Sequence, residues 1–165
     1  MVCASTKLSM LNIFKPLIIT LWIGGMWCVG YLVTPILFAN LPDKMLAGMI
    51  AGKLFYIMGI IGISAPIILF LLEKYRPSYQ ERYLYARRFS FESILLILLL
   101  LTAIEHFGIN EMIASLKTQV AGQEIMHTVL KDQFALWHGI GSIFYLIRSI
   151  LGLFLIIIMN KNKLS

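Results

Sequence analysis

The stretch WHGIGSIFYLIRSILGLFLIIIM, residues 137–159, decides the fold. It is mostly apolar and long enough to cross the hydrocarbon core of a bilayer, which takes about 20 helical residues. Comparable runs lie at about 16–38, 50–72 and 89–108, and this one supplies a fourth span at 138–159. Because these runs lack the two-residue alternation of barrel strands, each predicts a helix. The sequence therefore predicts an all-α membrane protein that forms one domain, a four-transmembrane-helix bundle.

The composition agrees with this class. Of 165 residues, 59% are hydrophobic and 13% are charged, and the mean hydropathy is +0.85, whereas soluble domains have about 25% charged residues. The net charge is +6, but the basic residues lie between the apolar runs. There they set topology and contact headgroups, so nucleic acid is not an expected partner.

The distribution of Lys and Arg predicts the orientation. One side of the membrane would carry Lys7, Lys15, Lys74, Arg76, Arg82, Arg87, Arg88, Lys161 and Lys163, and the other only Lys44, Lys53, Lys117 and Lys131. The positive-inside rule then places both termini and the 73–88 loop in the cytoplasm. That loop interleaves tyrosines with cations, so we expect it to contact anionic headgroups.

The segment between the third and fourth helices, about 109–136, contains apolar residues at near-helical spacing. This pattern predicts one or two amphipathic helices lying on the outer surface.

Polar and small residues share one side of the last helix. At 100° per residue they fall within an arc of roughly 120°, and they are His138, Gly141, Ser142, Tyr145, Arg148, Ser149 and Gly152. The opposite side is aliphatic and aromatic. Such segregation predicts that the polar arc faces protein or enclosed water and that the other face meets lipid.

Small residues on the other helices predict close packing. The first helix aligns Gly24 with Cys28, Tyr31 and Pro35, and the third aligns Glu92 with Leu99, Ala103 and His106. The expected packing positions are Gly24, Gly25, Gly48, Gly52, Gly59, Gly62, Gly141, Ser142 and Gly152.

Arg148 needs a partner or a route to water, because an unpaired arginine near mid-bilayer costs several kcal/mol. Glu92, near the cytoplasmic end of the third helix, is the expected partner. The alternative is an Arg148 side chain that snorkels alone towards the headgroups.

A metal site is a second candidate. With the predicted topology His138 and His106 meet at the outer mouth of the bundle, beneath a segment with His127, while Met45 and Met49 lie one turn apart near the first outer loop. Imidazole and thioether are ligands for copper. The competing interpretation is that the methionines fill apolar gaps and the histidines are interfacial groups. No catalytic motif is present, so catalytic residues are not predicted.

Three blocks carry a family resemblance: LWIGGMWCVGYLVTPILFANL at 21–41, AGMIAGKLF at 47–55 and WHGIGSIFYLIRSILGL at 137–153. They resemble the bacterial domain-of-unknown-function family 4149, which is similar to eukaryotic transmembrane protein 205 and, more distantly, to the superfamily of copper resistance protein D. The motif residues are Trp22, Gly24, Gly25, Pro35, Phe38, Gly48, Gly52, Phe55, His138, Gly139, Ser142, Tyr145 and Gly152. The resemblance implies a bacterial inner-membrane protein.

Three functions follow from these patterns. The first is a non-enzymatic membrane protein that handles copper through His138 and His106 with methionine help. The second is a membrane oxidase linked to haem or a porphyrin, in which a histidine would ligate iron. The third is an accessory membrane protein whose polar arc serves only packing.

Overall fold

The computed structural model describes the backbone of residues 2–74, 82–120 and 127–160, and the side chains of residues 13–74, 90–116 and 132–159. Apart from a short connection at 41–43, this backbone is helical and contains no strand. The helices are α1 (Val2–Trp27), α2 (Thr34–Asn40), α3 (Lys44–Lys74), α4 (Arg82–Ile104), α5 (Asn110–Val120) and α6 (His127–Asn160). The predicted all-α class is confirmed.

Within the described residues, four helices are long and apolar enough to cross a membrane. We call them span 1 (Ile13–Asn40), span 2 (Lys44–Lys74), span 3 (Ser90–Leu116) and span 4 (Asp132–Met159). The predicted four-span bundle is thus confirmed, and the spans are longer than the apolar runs that predicted them.

Two π-helical segments join consecutive α-helices into one span. The first, Cys28–Val33, connects α1 to α2, and the second, Glu105–Ile109, connects α4 to α5. Residues on both sides of each segment keep right-handed helical dihedral angles, so the chain does not turn away. A π turn contains more residues than an α turn and is often found at functional sites.

The segment at 109–136 is helical in both of its described parts. Its first part, α5, continues span 3 through the second π segment, and its last part belongs to α6. The residues between these two parts, 121–126, lie outside the described residues. Gly108 and the polar residues after it indicated a helix end, but the helix widens into a π turn there and continues.

Large apolar side chains from all four spans form the core. The most fully buried are Ile19, Trp22, Ile23, Met26, Leu69, Leu95, Leu98 and Leu155. Burying side chains of this size stabilises a fold by about 1.5–3 kcal/mol each in water, and within lipid the gain comes from close packing instead.

The inward face of span 1 differs from the prediction. Gly24 and Cys28 are exposed, and a Cβ added at Gly24 would have no neighbour within 4 Å, whereas Tyr31 is about half exposed and still contacts Ser149 of span 4. Trp22 and Met26, on the other side of α1, face the core instead. The small residues suggested close approach of a helix, whereas this helix packs through its large side chains.

An ion pair joins α1 to α3 at one end of the bundle. The Lys15 ammonium on α1 donates to the Glu73 carboxylate on α3, and both side chains are largely buried. Tyr75, Tyr79, Tyr83 and the arginines predicted to contact headgroups at this end lie outside the described side chains, whereas the Lys74 side chain is described and exposed.

Candidate functional site: an intramembrane ion pair

Glu105 and Arg148 form an ion pair between spans 3 and 4. The Arg148 guanidinium donates through Nη1 to Glu105 Oε2. Only 2% of Arg148 and 6% of Glu105 are exposed, and each residue lies in the middle third of its span. A charge at this depth is costly unless it is paired, and intramembrane ionisable residues commonly mark ion or proton pathways.

This pairing replaces the predicted one. The sequence predicted Glu92 as the partner of Arg148, but Glu92 is only half-buried, near the start of span 3. The third apolar run was ended at 108, which predicted that Glu105, like the neighbouring His106, lies at the outer mouth of the bundle. Since span 3 continues to Leu116, Glu105 lies well inside it, at the depth of Arg148.

A second group of hydrogen bonds lies next to the pair and links span 1 to span 4. The Tyr145 hydroxyl donates to the Met26 carbonyl, just before the first π segment. Tyr31, within that segment, donates to Ser149 Oγ at 2.9 Å, and Ser149 donates to the Tyr145 carbonyl at 2.9 Å. The α-helical pattern of backbone hydrogen bonds in span 1 is interrupted there, so side chains supply hydrogen bonds that the backbone does not make.

The Tyr145 ring also packs against its polar neighbours. The Arg148 Cζ atom lies 5.7 Å from the ring centroid, within the range of a cation–π interaction. Phe55 of α3 contacts the same ring edge-to-face, with centroids 5.2 Å apart. Tyr145 therefore connects the ion pair to spans 1 and 2.

Glycines on α3 make room for the polar groups. A Cβ added at Gly62 would lie 2.9 Å from Thr102 Cγ2 and 3.1 Å from Arg148 Nη2. A Cβ added at Gly59 would lie 3.1 Å from Cγ of His106. All three distances are below ordinary contact, so span 2 approaches spans 3 and 4 closely only because these positions lack a side chain.

Three of the other predicted packing positions are glycines with a close neighbour. A Cβ at Gly152 would lie 2.8 Å from Ile23, one at Gly141 would lie 3.3 Å from Ile109, and one at Gly25 would contact Met58 at 3.5 Å. Gly48 and Gly52 are half-buried, and Ser142 is exposed with its hydroxyl bonded to the His138 carbonyl. Gly24 has no close neighbour within the described chain.

His106 and His138 have different surroundings. His106 is buried in the second π segment, with its ring centroid 4.9 Å from that of Tyr56 and 5.0 Å from that of Phe107. His138 is exposed and stacks on Phe134, one turn earlier in α6, with centroids 5.9 Å apart.

The remaining predicted metal ligands give no closed site. Met45 and Met49 are exposed on α3, and the His127 side chain lies outside the described residues. Among the described residues, no group of three or more His, Cys, Asp or Glu side chains is placed to hold a metal ion. A copper site at the outer mouth stays a prediction.

A comparison with protein families assigns the chain to a family. The family described as "Domain of unknown function (DUF4149)" matches residues 17–121, well over half of the chain. The chain belongs to this family. No curated protein and no solved structure matches it. The DUF4149 match covers span 1, span 2 and all of span 3, including Glu105 and His106, whereas Arg148 lies beyond it.

The match confirms the family resemblance seen in the sequence, and the four apolar helices indicate a multi-pass membrane protein. It does not extend to transmembrane protein 205 or to copper resistance protein D. The links to those proteins stay predictions.

Proposed function

We propose that this DUF4149 protein is a multi-pass protein of the bacterial inner membrane that exchanges protons across the bilayer at the Glu105–Arg148 pair. Both termini lie in the cytoplasm in this proposal. The concentration of Lys and Arg on the side of the termini supports that orientation, and the mid-span ion pair supports the function.

The position of the pair favours a functional role. Replacing a buried ion pair by apolar residues of similar volume is often neutral or stabilising, so stability alone gives little reason for one in the middle of a bundle. Proton carriers in membranes use a carboxylate that can be neutralised and a cation that holds it ionised until then. Glu105 and Arg148 provide these two groups.

The close packing favours the proton over larger cargo. The guanidinium lies against Gly62 and the His106 ring lies against Gly59, so tightly that an added methyl group would collide with them. A proton passes from a donor atom to an acceptor atom and needs no room of this kind. A larger solute would require the helices to separate.

His106 and Tyr145 each lie next to one member of the ion pair. His106 follows Glu105 directly in the second π segment, and Tyr145 lies beside Arg148 on span 4. Gly59 and Gly62 of span 2 pack against His106 and Arg148. His106 is the group best placed to pass a proton to or from Glu105, because it is the next residue and an imidazole can both donate and accept a proton.

Proton flux into liposomes tests this proposal. Purified protein reconstituted with a trapped pH-sensitive dye should carry protons when a potassium-diffusion potential is applied, and Glu105→Gln should reduce that flux at least about tenfold, since the amide cannot be ionised. Glu111→Gln makes the same change six residues later at an exposed position and should leave the flux unchanged.

Two further measurements make the test selective. The proton flux is divided by the amount of folded protein, which size-exclusion chromatography measures. Glu105→Asp keeps a carboxylate and should therefore retain part of the proton flux. Wild-type flux no greater than that of protein-free liposomes, or equal flux in wild type and Glu105→Gln, would reject the proposal.

Copper handling and a haem-linked oxidase activity are tested on the same preparation. If the sequence-based copper site exists, gently purified protein should contain stoichiometric copper, which His138→Ala should lose and His127→Ala should keep. A Soret absorption band would indicate haem. Absence of both signals from protein prepared with added copper and haem would contradict these two predictions.

A further inference from the structure

A proline interrupts the backbone hydrogen bonds of α3 beside the ion pair. Pro66 lies inside this helix and is fully buried. Proline has no backbone N–H, so it cannot make the hydrogen bond that a residue inside an α-helix donates to the carbonyl four positions earlier. That carbonyl belongs to Gly62. The Gly62 carbonyl therefore has no donor at its usual helical position.

The surroundings of Gly62 decide which groups can reach this carbonyl. Prolines are tolerated in transmembrane helices because neighbouring helices and local backbone adjustments satisfy the carbonyl that they free. Gly62 is buried, so a side-chain donor has to come from the spans that pack against it. Because glycine has no side chain, its peptide group is also open to close approach from those spans.

Arg148 supplies the nearest unused donors. A methyl group placed on Gly62 would lie 3.1 Å from Arg148 Nη2 and 3.4 Å from Thr102 Oγ1. The Thr102 hydroxyl donates its single proton to the Leu98 carbonyl at 2.7 Å. Arg148 Nη2 and Nε are buried and have no hydrogen-bond partner within the described residues. Of these two side chains, the guanidinium is therefore the one with N–H groups available.

The bond to Glu105 leaves this side of the guanidinium unused. An arginine has five N–H donors in a planar fork, and the bond to Glu105 comes from Nη1, whereas Nη2 lies against Gly62. Arg148 thus lies between two acceptors of different charge, the Glu105 carboxylate on span 3 and the Gly62 carbonyl on span 2.

We propose that Arg148 alternates between these two acceptors: it binds Glu105 while the carboxylate is ionised, and it turns to the Gly62 carbonyl, freed by Pro66, when Glu105 is neutral. An ionised carboxylate attracts the guanidinium more strongly than a carbonyl does, and a protonated carboxyl group loses that advantage. The carbonyl then keeps the buried guanidinium hydrogen bonded, which lowers the cost of a charge without its counter-ion.

This alternation regulates the site of the proposed function, and its use in proton exchange rests on that function. Proton exchange requires that Glu105 be neutral for part of the cycle, and during that part the Gly62 carbonyl gives Arg148 an acceptor. The alternation itself follows from Pro66 and the unpartnered guanidinium nitrogens and stands without proton transport.

Solid-state NMR of the protein in lipid bilayers tests the proposal. Labelling with ¹³C-carbonyl glycine and ¹⁵N-isoleucine selects glycines that precede an isoleucine, among them Gly62 and Gly139. Glu105→Gln mimics the neutral carboxyl group and should move the Gly62 carbonyl resonance downfield, because a hydrogen bond from a cation deshields the carbonyl carbon. The Gly139 resonance should not move, since Gly139 is exposed at the other end of span 4 from the lipid-facing end of α3. Ile63→Val removes the Gly62 signal and so assigns it.

Further variants identify the donor and the role of the proline. Adding Arg148→Met to Glu105→Gln should return the Gly62 resonance towards its wild-type position. Pro66→Ala supplies the missing N–H, so Glu105→Gln should cause no shift in that background. Pro16→Ala makes the same change in α1 and should leave the shift intact.

The outcomes separate this proposal from the proposed function. A Gly62 resonance that does not move in Glu105→Gln, or a shift that persists without Arg148 or in Pro66→Ala, overturns the alternation, whether or not the liposomes conduct protons. A shift with the expected dependence in a protein that conducts no protons upholds the alternation and rejects the proton-exchange function. Glu105→Leu offers no acceptor at all and should cause the same shift, so it decides the question if Glu105→Gln does not fold.

Discussion

Arg148→Met should lower the stability of the bundle by about 3–5 kcal/mol, because it leaves the Glu105 carboxylate buried without its partner. Glu105→Gln should be destabilising for the same reason, since it leaves the guanidinium charge unbalanced. The double variant should be less destabilised than the sum of the two single changes, by up to about 3 kcal/mol. Unfolding by SDS in mixed detergent micelles, followed by circular dichroism, measures all three.

Glu92→Gln is the control for this cycle. Glu92 was the partner predicted from the sequence, and it lies on the same span but nearer its start. Whatever its own cost, its effect should add to that of Arg148→Met within about 0.5 kcal/mol, as expected for residues that do not interact. Additivity between Glu105→Gln and Arg148→Met, or coupling of Glu92 to Arg148, would contradict the observed pairing.

Gly59→Ala should destabilise the bundle by about 1–3 kcal/mol, the usual cost of inserting a methyl group into a well-packed interior. The new Cβ would lie 3.1 Å from Cγ and 3.2 Å from Cε1 of His106. The imidazole ring lies against Tyr56 and Phe107, which limit how far it can move away. The same unfolding assay measures the loss.

Gly24→Ala is the matched control, because it makes the same change in span 1 where no atom lies within 4 Å of the new Cβ. Alanine is favoured over glycine in a helix interior by about 1 kcal/mol. Gly24→Ala should therefore be neutral or slightly stabilising. Equal losses at positions 24 and 59 would mean that helix propensity or lipid contact, and not the His106 contact, determines the cost.

Much of the fold could be predicted from hydrophobicity alone. The four apolar runs exist because lipid excludes polar side chains, and this constraint acts on each span separately. The polar arc of the last helix was also informative, since Tyr145, Arg148, Ser149 and Gly152 are all buried while Ile143, Ile147 and Ile150 are exposed. His138 and Ser142, nearer the start of that span, are exposed despite lying on the same arc.

The partner of Arg148 was less accessible to sequence analysis. Its identity depends on where span 3 ends, and the length of an apolar run locates a helix end poorly when the helix continues through polar residues. Extending the helical pattern past Gly108 would have moved Glu105 towards mid-span. The inward face of span 1 failed for another reason: small residues indicate that a helix can approach closely but not on which side it does so.

The second π segment also sets the rotational phase of span 3. An α-helix advances about 100° per residue, so the single extra residue of a π turn rotates everything after it relative to everything before it. Removing one residue between Glu105 and Ile109 would restore a regular α-helix and turn Asn110–Leu116 by about that angle against α4. The five-residue segment therefore determines which side of α5 faces the rest of the bundle, and Leu116 is the buried residue on that side.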